Sequence, residues 1–542
     1  MASISPYTGT LNVRLAAHLL RRSCLRYTRW QIDLLTGMPT GDALDVLLQA
    51  PLPQTVTSPI DPNTDQPWIG IVDNTATSPR GAGRTYICGW WFNEAIQDET
   101  INHRMMLFLH NTFTVSHTKG ASAHGENFFD HLALLRHFAL GNFREFAVKM
   151  TLNNHMLIYL DNNLNIRTAP NENYGREFLE LFTIGKENQT GVANYTEDDV
   201  IQAARVFSGF KVAPRTSAYI DPDTGIHAGR TVFSHHDIND KTFSSAFNGQ
   251  TITAATNQSD MWRELDDFVD MVFAQRETAR FFCRRMYRFF VRPTISPEVE
   301  QDIIEPMADT FIANNFEMLP VLRQLLHSEH FFDLDDSNAN DETIGAIIKS
   351  PFDLLCHAVS FFNVALPDQL TEPTKFYRNF WLSSMRNTYL QAAGMEIFAP
   401  DSVAGYQAYY QNPSYDKSWF VSSTIVSRYK LGEMLVTGRR VLAAGTMGGV
   451  QLDSIAYLES DISNPGNANT VIDELLPYLL PELPDNGRRA YFLNDIFLEG
   501  LSPINWQFEW QNYIQTGSDT DVRIPTDQLI QVLLRTPEFQ LL

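Results

Sequence analysis

The segment NENYGREFLELFTIG, residues 171–185, sets charged side chains against aromatic ones at helical spacing. Four charged side chains share one polar arc of a helix with about 100° per residue: Glu172, Arg176, Glu177 and Glu180. Carboxylates that become buried need a cationic partner, a raised pKa or a metal ion, and reactive sites share these conditions. We therefore interpret Glu177 and Glu180 as candidate general bases or metal ligands, and Arg176 as a candidate clamp for an anion.

The same segment also has a purely structural interpretation. Arg176 stands four residues from both Glu172 and Glu180, so these side chains can form ion pairs on a solvated helix face. Each pair would contribute about 0.3–0.5 kcal/mol and would carry no activity. The sequence leaves both interpretations open.

Upstream of this segment, four oxygen-bearing side chains have the spacing of an EF-hand calcium loop. Positions one, three, five and twelve of that loop correspond to Asp161, Asn163, Asn165 and Glu172. Ile166 stands where such loops require glycine, and only two of the four side chains are carboxylates. The alternative interpretation is an Asx-rich turn that caps the helices on both sides.

Histidines are concentrated in one part of the chain. Five of them recur every seven residues: His103, His110, His117, His124 and His131. Gly120 and Gly125 would break a helix through the last two, so we interpret the repeat beyond His117 as accidental. A histidine on a half-buried face is more often a hydrogen-bonded core residue than a ligand. His110 is the one that we retain as a candidate ligand or proton carrier.

The charge balance disfavours some partners. Lys and Arg number 41 against 63 Asp and Glu, and the resulting net charge of −22 repels nucleic acid. Five arginines nevertheless recur every four residues along one predicted helix: Arg276, Arg280, Arg284, Arg288 and Arg292. An anion or an acidic partner could read this stripe, but in so acidic a chain we expect pairing with the chain's own carboxylates.

Missing motifs narrow the enzyme classes. The sequence has no G-x-S-x-G elbow, H-E-x-x-H pair, P-loop, or G-x-G-x-x-G after a strand. This argues against serine hydrolases of that type, zincins, nucleoside triphosphatases and dinucleotide enzymes. The 4 cysteines lie far apart, which gives neither zinc-knuckle spacing nor a dense disulfide framework.

The elements that must position these residues are helices. Apolar residues recur at helical spacing over most of the 542 residues, and turn residues fall between the periodic segments. The sequence therefore predicts an all-α fold, a large multi-helix bundle with long irregular loops and at most a minor β-hairpin near 211–260. We expect a main helical body over 1–345, with the motif-bearing block at about 100–245. A C-terminal helical lobe over 346–542 should pack on it without being independent.

The N-terminal stretch MASISPYTGTLNVRLAAHLLRRSC lacks the apolar core of a secretory signal. No window approaches the ~18 apolar residues that a membrane span requires. On sequence alone we expect a cytoplasmic chain without a membrane span. The sequence is equally compatible with export, because a chain that starts after a removed signal would look the same.

Four motifs resemble a known bacterial family. In chain order they are RHFALGNFREF, YLDNNLN, PNENYGREFLELFTIG and NYTEDDVIQAARVFSGF. With AAHLLRR near the start and LLRTPEFQ near the end, they make the chain similar over nearly its whole length to the domain-of-unknown-function family 1800. The resemblance implies a predominantly helical protein of unassigned activity. It also implies a candidate partner, a sulfatase-like protein that is often encoded nearby.

The resemblance also marks polar positions. Carried over by position, the family's polar motif residues fall on His110, Asn111, Asp161, Asn162, Asn171, Glu172, Asn173, Arg176, Glu177, Glu180, His236, Asp237 and Lys241. Gly175 stands where the family pattern usually has alanine, which weakens a helix by about 1 kcal/mol but permits closer packing. Thr112 stands where a second histidine is expected, which argues against a metal site on the segment FLHN, residues 108–111, that contains His110.

We hypothesise that the segments marked by the resemblance pack together into one polar pocket. The candidate metal ligands there are Asp161, Asn163, Asn165, Glu172, His236 and Asp237, and the candidate catalytic residues are Glu177, Glu180, His110 and Arg176. The predicted reaction class is metal-assisted hydrolysis, with calcium, zinc and magnesium not distinguished. The alternative is a non-catalytic scaffold or partner protein, acting with the sulfatase-like protein, whose polar motif fixes the helix registry.

Overall fold

The computed structural model describes residues 2–49, 58–67, 82–118, 125–335, 342–441 and 443–542. Gly120 and His124, which belong to the discussion of the seven-residue repeat, lie outside these ranges. Helices dominate the described chain and confirm the predicted all-α fold. No helix within the described ranges is long and apolar enough to cross a membrane.

The α-helices fall into two halves of the chain. The first half contains α1 (Val13–Ser23), α2 (Arg29–Leu35), α3 (Thr40–Leu47), α4 (Ala82–Ala95), α5 (Asn102–Thr112), α6 (Gly125–His137), α7 (Phe143–Thr151), α8 (Asn154–Tyr159), α9 (Asn173–Glu177), α10 (Glu197–Val206), α11 (Asp260–Phe273) and α12 (Arg276–Phe290). The second half contains α13 (Pro297–Val299), α14 (Glu305–Ala313), α15 (Met318–Leu326), α16 (Pro351–Phe361), α17 (Gln407–Tyr410), α18 (Ile425–Thr437), α19 (Ser454–Asp461), α20 (Ala468–Leu479), α21 (Asn486–Ala490), α22 (Pro503–Thr516) and α23 (Thr520–Arg535). Four π-helical segments add to these, at Phe178–Thr183, Glu300–Ile304, Thr374–Leu390 and Tyr491–Phe497.

The strands are all short. They are β1 (Ile60–Asp61), β2 (Gln66–Pro67), β3 (Phe210–Lys211), β4 (Tyr219–Ile220), β5 (His227–Ala228), β6 (Arg230–Thr231), β7 (Lys241–Thr242) and β8 (Thr251–Ile252). They form antiparallel pairs: β1 with β2, β3 with β6, β4 with β5 and β7 with β8. Three pairs lie in the part predicted to hold a minor hairpin, and β1 with β2 forms a further pair before α4.

Side-chain caps explain where important helices begin. At α10, Thr196 and Asp199 form a reciprocal capping box, in which each side chain accepts the other's backbone N–H. At α16, Ser350 and Asp353 form the same motif, with Pro351 in the first turn. These caps satisfy N–H groups that a helix start would otherwise leave without partners.

One apolar core extends through both parts of the chain that were predicted as body and lobe. The ring of Phe352 on α16 lies 5.5 Å from that of Trp91 on α4. Beside it, the buried pair of Arg104 and Asp353 joins α5 to α16. The C-terminal part therefore packs on the helical body through apolar and charged contacts, and its lack of independence stays a prediction.

The helix of the charged segment packs very closely against α10. A Cβ atom at Gly175 would lie 3.1 Å from the backbone nitrogen of Ala204 and 3.3 Å from Cβ of Ala203. Glycine at this position therefore lets α9 approach α10 more closely than alanine would.

Candidate functional site

The helix that carries the charged segment changes type in its middle. The α-helical turns of α9 end at Glu177, and a π-helix continues from Phe178 to Thr183. Thr183 donates its hydroxyl to the Phe178 carbonyl over 2.6 Å, and the helix ends at Gly185 with a φ of 80°. Isolated π-helical turns are rare among all helical turns, and a large share of them lies at functional sites. Such a turn alters which side chains share a face of the helix.

Glu177 and Glu180 lie side by side at this change of helix type. Glu177 is half-buried, and burial together with the charge of Glu180 raises its pKa to about 7, against the opposing effect of Arg176. Glu180 is held from another direction, because Tyr195 donates its hydroxyl to Glu180 Oε2 over 2.9 Å. The pair therefore offers a carboxyl group that exchanges its proton near neutral pH.

Arg176 is tied to carboxylates at the surface. Its guanidinium makes two parallel hydrogen bonds to Glu197, of 2.9 Å to Oε1 and 2.7 Å to Oε2. A longer bond of 3.3 Å reaches Glu172. The predicted ion pair with Glu172 is present, whereas the predicted pair with Glu180 is replaced by the Tyr195 contact. A two-pronged grip of this kind is also how arginine holds carboxylate and phosphate ligands.

The segment with calcium-loop spacing uses its amides within the protein. The Oδ1 atom of Asn163 accepts the N–H of Val212 at 2.9 Å. The Nδ2 atom of Asn165 donates to the Ala204 carbonyl at 2.8 Å, and its Oδ1 accepts the N–H of Asn171 at 3.1 Å. Asp161 is exposed and has a left-handed backbone. This geometry matches the Asx-rich turn that was the alternative interpretation.

His236 and Asp237 belong to a second group, in the loop between α10 and α11. His236 donates from Nδ1 to the Ser208 carbonyl at 2.7 Å, and its Nε2 lies 3.2 Å from Glu264 Oε2. Lys241 places its ammonium group 2.5 Å from Glu264 Oε1 and donates to the Asp237 carbonyl. His236, Lys241 and Glu264 are completely buried, and burial lowers the pKa of Lys241 in spite of Glu264.

His110 belongs to a third group, which we call the histidine cluster: His110, His117, His131 and His155. The ring centroids of His110 and His131 are 6.2 Å apart, and those of His131 and His155 are 6.0 Å apart. His117 joins the cluster through Phe128, whose ring contacts both His117 and His155. Four imidazoles from α5, α6, α8 and the connection after α5 therefore converge in the core.

The histidine cluster is neutral at physiological pH. Burial lowers the pKa of His110 and of His117 to about 3 and that of His155 to about 4, and it lowers the pKa of His131 well below its ordinary value. Both ring nitrogens of His110 and one each of His131 and His155 have no hydrogen-bond partner among the described residues, whereas Nε2 of His117 lies 3.5 Å from Glu396 Oε1. Neutral imidazoles with free nitrogens are metal ligands and proton acceptors.

Sequence reasoning missed two of these histidines. His131 was set aside as an accidental repeat, and His155 drew no attention. The seven-residue spacing held the signal for His131, but its convergence with His110 depends on how α6 packs against α5. Asn153 lies two residues before His155, and its Oδ1 atom is 3.3 Å from Nδ1 of His131.

Two residues link the histidine cluster to the charged helix. Tyr159 follows His155 by one turn of α8, and burial together with the charge of Glu177 raises its pKa to about 12. Arg285 donates to the carbonyl of Leu181 in the π-helix, at 2.5 Å, and to the carbonyl of Asn111 in α5. Burial lowers the pKa of Arg285 to about 10, and its place outside the arginine stripe kept it from notice.

The arginine stripe on α12 pairs with carboxylates of the chain, as expected. Arg276 contacts Glu305 at 2.8 Å and Asp309 at 2.6 Å. Arg284 contacts Glu277 and Glu300, each at 2.5 Å. These pairs occupy that part of the stripe with internal partners.

The predicted site residues thus lie in groups with different partners. The structure brings Glu177 to Glu180, and His236 and Asp237 to Lys241, while His110 has aromatic and histidine neighbours. Within the described ranges, no group of three or more His, Cys, Asp or Glu side chains is already arranged to hold a metal ion. The roles assigned to these residues therefore stay predictions.

Comparison with known proteins agrees with the resemblance seen in the motifs. A family model described as "Protein of unknown function (DUF1800)" matches residues 18–541. The match covers nearly the whole chain and confirms the family suggested by the sequence. No curated protein and no solved structure matches the chain.

Proposed function

The chain belongs to the family described as protein of unknown function DUF1800, and on that premise we propose that it is a hydrolase with Glu177 as its general base. The observation that carries the proposal is the half-buried Glu177 carboxyl beside Glu180, with a pKa raised to about 7. A general base works best when its pKa lies near the operating pH. Partial exposure also lets a substrate and a water molecule reach this group.

In this proposal Glu180 acts through Glu177. Its negative charge raises the pKa of Glu177, and the hydroxyl of Tyr195 fixes its orientation. Arg176 provides the grip on an anionic group of the substrate, which would replace the exposed carboxylate of Glu197. In the proposed reaction Glu177 takes a proton from a water molecule while the water oxygen attacks an ester-type bond of the substrate. The bond to the leaving group breaks, and the leaving group departs with the electron pair and takes up a proton from Glu177 or from solvent.

The metal-assisted part of the proposal rests on the histidine cluster. The oxygens of Asn163 and Asn165 and the side chain of His236 have protein partners, whereas ring nitrogens of His110, His131 and His155 have no hydrogen-bond partner among the described residues. Imidazoles that share one tetrahedral ion at about 2.0–2.1 Å per nitrogen have ring centroids roughly 5 Å apart. The separations of 6.2 Å and 6.0 Å are larger, so the rings would have to move closer together to hold one ion. Imidazole ligands favour zinc or a similar transition metal over calcium or magnesium.

The base is tested by kinetics on generic substrates. Wild-type protein is assayed with p-nitrophenyl acetate, phosphate, sulfate and β-glucoside between pH 5 and 9, with and without added zinc. We expect turnover of one of these to rise with pH around the Glu177 pKa of about 7. Glu177→Gln should lower kcat/KM by at least about 100-fold. Glu187→Gln removes the same charge from an exposed position and serves as the matched control. Equal rates for the two variants, or no turnover by the wild type, would overturn the proposal.

The metal is tested separately, by elemental analysis of purified protein after dialysis against zinc. We expect bound zinc in the wild type and in His235→Asn, an exposed control, and its loss in His131→Asn. A wild type without bound metal removes metal assistance from the proposal. The kinetic test of Glu177 is then read alone.

A second candidate function is the scaffold, and the buried group of His236, Lys241 and Glu264 favours it. These side chains hold the loop after α10 to α11 and leave no charge for catalysis. The test is a pull-down with a sulfatase-like protein, the partner that the family resemblance implies. A scaffold should retain it equally in wild type and Glu177→Gln, with no turnover by either. Failure to retain it would remove this candidate.

A further inference from the structure

A groove with uncharged walls lies far along the chain from the residues discussed so far, between the start of α20 and one face of α22. Its volume is about 460 Å³, within the range of pockets that bind small molecules. Its characteristic residues are five amides and one indole, which we call the amide groove: Asn464, Asn467, Asn469, Gln507, Gln511 and Trp510. None of the residues that line it in the described structure is charged.

The amides can satisfy a ligand that carries hydroxyl groups. A primary amide both donates and accepts hydrogen bonds, and so does each hydroxyl of a sugar. Gln507 and Gln511 are exposed and stand one turn apart on α22, so both side chains project from the same face. The residues that line the groove offer no counter-ion to a charged ligand, whereas their amides offer hydrogen-bond partners to several hydroxyl groups of a neutral one.

Two of the amides are already oriented by the protein. The Oδ1 atom of Asn467 caps α20 and accepts the N–H of Asn469 at 3.0 Å. The Oδ1 atom of Asn469 accepts a hydrogen bond of 3.0 Å from Arg489. Because their oxygens have internal partners, their NH₂ groups are left to donate to a ligand. Donors held in place in this way reduce the entropy lost on binding.

The floor of the groove is aromatic and firmly attached. Trp506 donates its indole N–H to the Pro465 carbonyl over 2.8 Å and so fixes the connection before α20 to α22. The ring of Trp510 lies 5.8 Å from that of Trp506, and a Cβ at Gly466 would lie 3.0 Å from Trp510. Trp510 is mostly buried, and the part of its indole that lines the groove gives an apolar contact beside the amides for the C–H groups of a sugar ring.

The neighbouring cavity shows that the lack of charge is local. That cavity, of about 270 Å³, lies on the other side of α22, and Glu499, Glu509 and Asp521 line it. One helix therefore separates an acidic cavity from a neutral one. In a chain with a net charge of −22, an uncharged wall is a distinct surface chemistry.

We propose that the amide groove binds a neutral oligosaccharide, with room for about two to three sugar rings. Hydroxyl groups of the sugar exchange hydrogen bonds with the five amides, and C–H groups of one ring contact the part of Trp510 that lines the groove. This binding site is separate from the proposed hydrolytic site. The proposal of sugar binding does not depend on the proposal of hydrolysis.

The test is a calorimetric titration of the full chain with cellotriose, maltotriose, chitotriose and xylotriose. We expect saturable binding of at least one of these trisaccharides, together with a change in tryptophan fluorescence. The double variant Gln507→Ala/Gln511→Ala should weaken that binding by at least tenfold. Gln515→Ala alters an exposed amide of the same helix outside the groove and should bind as the wild type does.

We expect the wild type and both variants to have similar melting temperatures, because the altered side chains are exposed. Measuring these temperatures shows that the variants are folded. Absence of binding by all four trisaccharides at 10 mM (about the weakest affinity of interest) overturns the proposal. Equal binding by the double variant and Gln515→Ala also overturns it. A neutral peptide, N-acetyl-tetraglycine amide, that binds in the groove when no trisaccharide does would assign the groove to peptides and overturn the proposal as well.

Discussion

Glu264 and Glu177 are both carboxylates withdrawn from water, but the protein surrounds them differently. Glu264 is completely buried between the ammonium group of Lys241 and the imidazole of His236. Glu177 is half-buried, and its neighbour Glu180 carries the same charge. The first arrangement matches opposite charges, whereas the second sets like charges side by side.

The difference separates a carboxylate that stabilises the fold from one that is available for catalysis. A buried carboxylate between an ammonium group and an imidazole fixes a loop, and removing any of the three leaves the others buried without a partner. A like charge beside a carboxylate raises the pKa of that carboxylate and lowers the stability of the fold. Groups with pKa values raised in this way are concentrated at functional sites. The contrast predicts opposite responses when each carboxylate is removed.

The largest expected effect is at Glu264. Glu264→Ala leaves Lys241 and His236 buried without their partner, so we expect a loss of about 3–5 kcal/mol in the free energy of unfolding. The measurement is urea unfolding followed by circular dichroism. Asp267→Ala, on the same helix but in the exposed pair with Arg263, should change that free energy by less than about 1 kcal/mol. Similar losses in the two variants would contradict the comparison.

The histidine cluster extends the comparison to groups that are buried neutral. The pKa of His110 is lowered to about 3 from its ordinary value of 6.5. The unfolded chain therefore takes up a proton below pH 6.5 that the folded chain refuses, and stability falls as the pH drops from 6.5 toward 3.

Replacing His110 by an uncharged ring removes one of the protons that the chain takes up when it unfolds at low pH. His110→Phe should reduce the stability lost between pH 7 and pH 5 by about 2 kcal/mol, from a slope of about 1.4 kcal/mol per pH unit. Thermal melting across that pH range measures the effect. His235→Phe, at an exposed position, should keep the acid sensitivity of the wild type. An unchanged pH dependence in His110→Phe would show that His110 is not a neutral buried group.

The helical character of the charged segment could be predicted from its periodicity, but its partners could not. The amphipathic pattern places Glu177 and Glu180 on one face, as the structure has them. Tyr195, which holds Glu180, lies in the connection before α10, and Glu197, which holds Arg176, is the first residue of that helix. The position of both depends on where the capping box starts α10. A sequence pattern indicates which side chains share a face of the same helix. It does not indicate which later segment of the chain packs against that face.

The change to a π-helix and the histidine cluster show the same limit. A π-turn differs from an α-turn by less than one residue, so the spacing of Phe178, Leu181 and Phe182 does not distinguish them. His131 and His155 lie on different helices, and only the packing of α5, α6 and α8 brings them together. Local periodicity therefore predicted the all-α fold, whereas the grouping of the polar side chains required the tertiary structure.

The smallest expected effect has the opposite sign and is at Glu177. Its pKa is raised to about 7 from an ordinary 4.5, so the folded chain favours the protonated form. This preference stabilises the fold fully below pH 4.5 and is lost as the pH rises through 7. Glu177→Gln keeps the shape of the protonated side chain without its titration.

We therefore expect the two proteins to melt together at pH 4 and to diverge above it. At pH 8 Glu177→Gln should be more stable by about 1–2 kcal/mol, a value reduced for the partial exposure of the carboxylate. Glu187→Gln, at an exposed position, should follow the wild type at both pH values. A gain in stability on removing a carboxylate, beside the loss expected at Glu264, would separate the two regions by sign. A variant less stable than the wild type at pH 8 would place Glu177 with the structural charges, because its carboxylate would then be contributing to the fold.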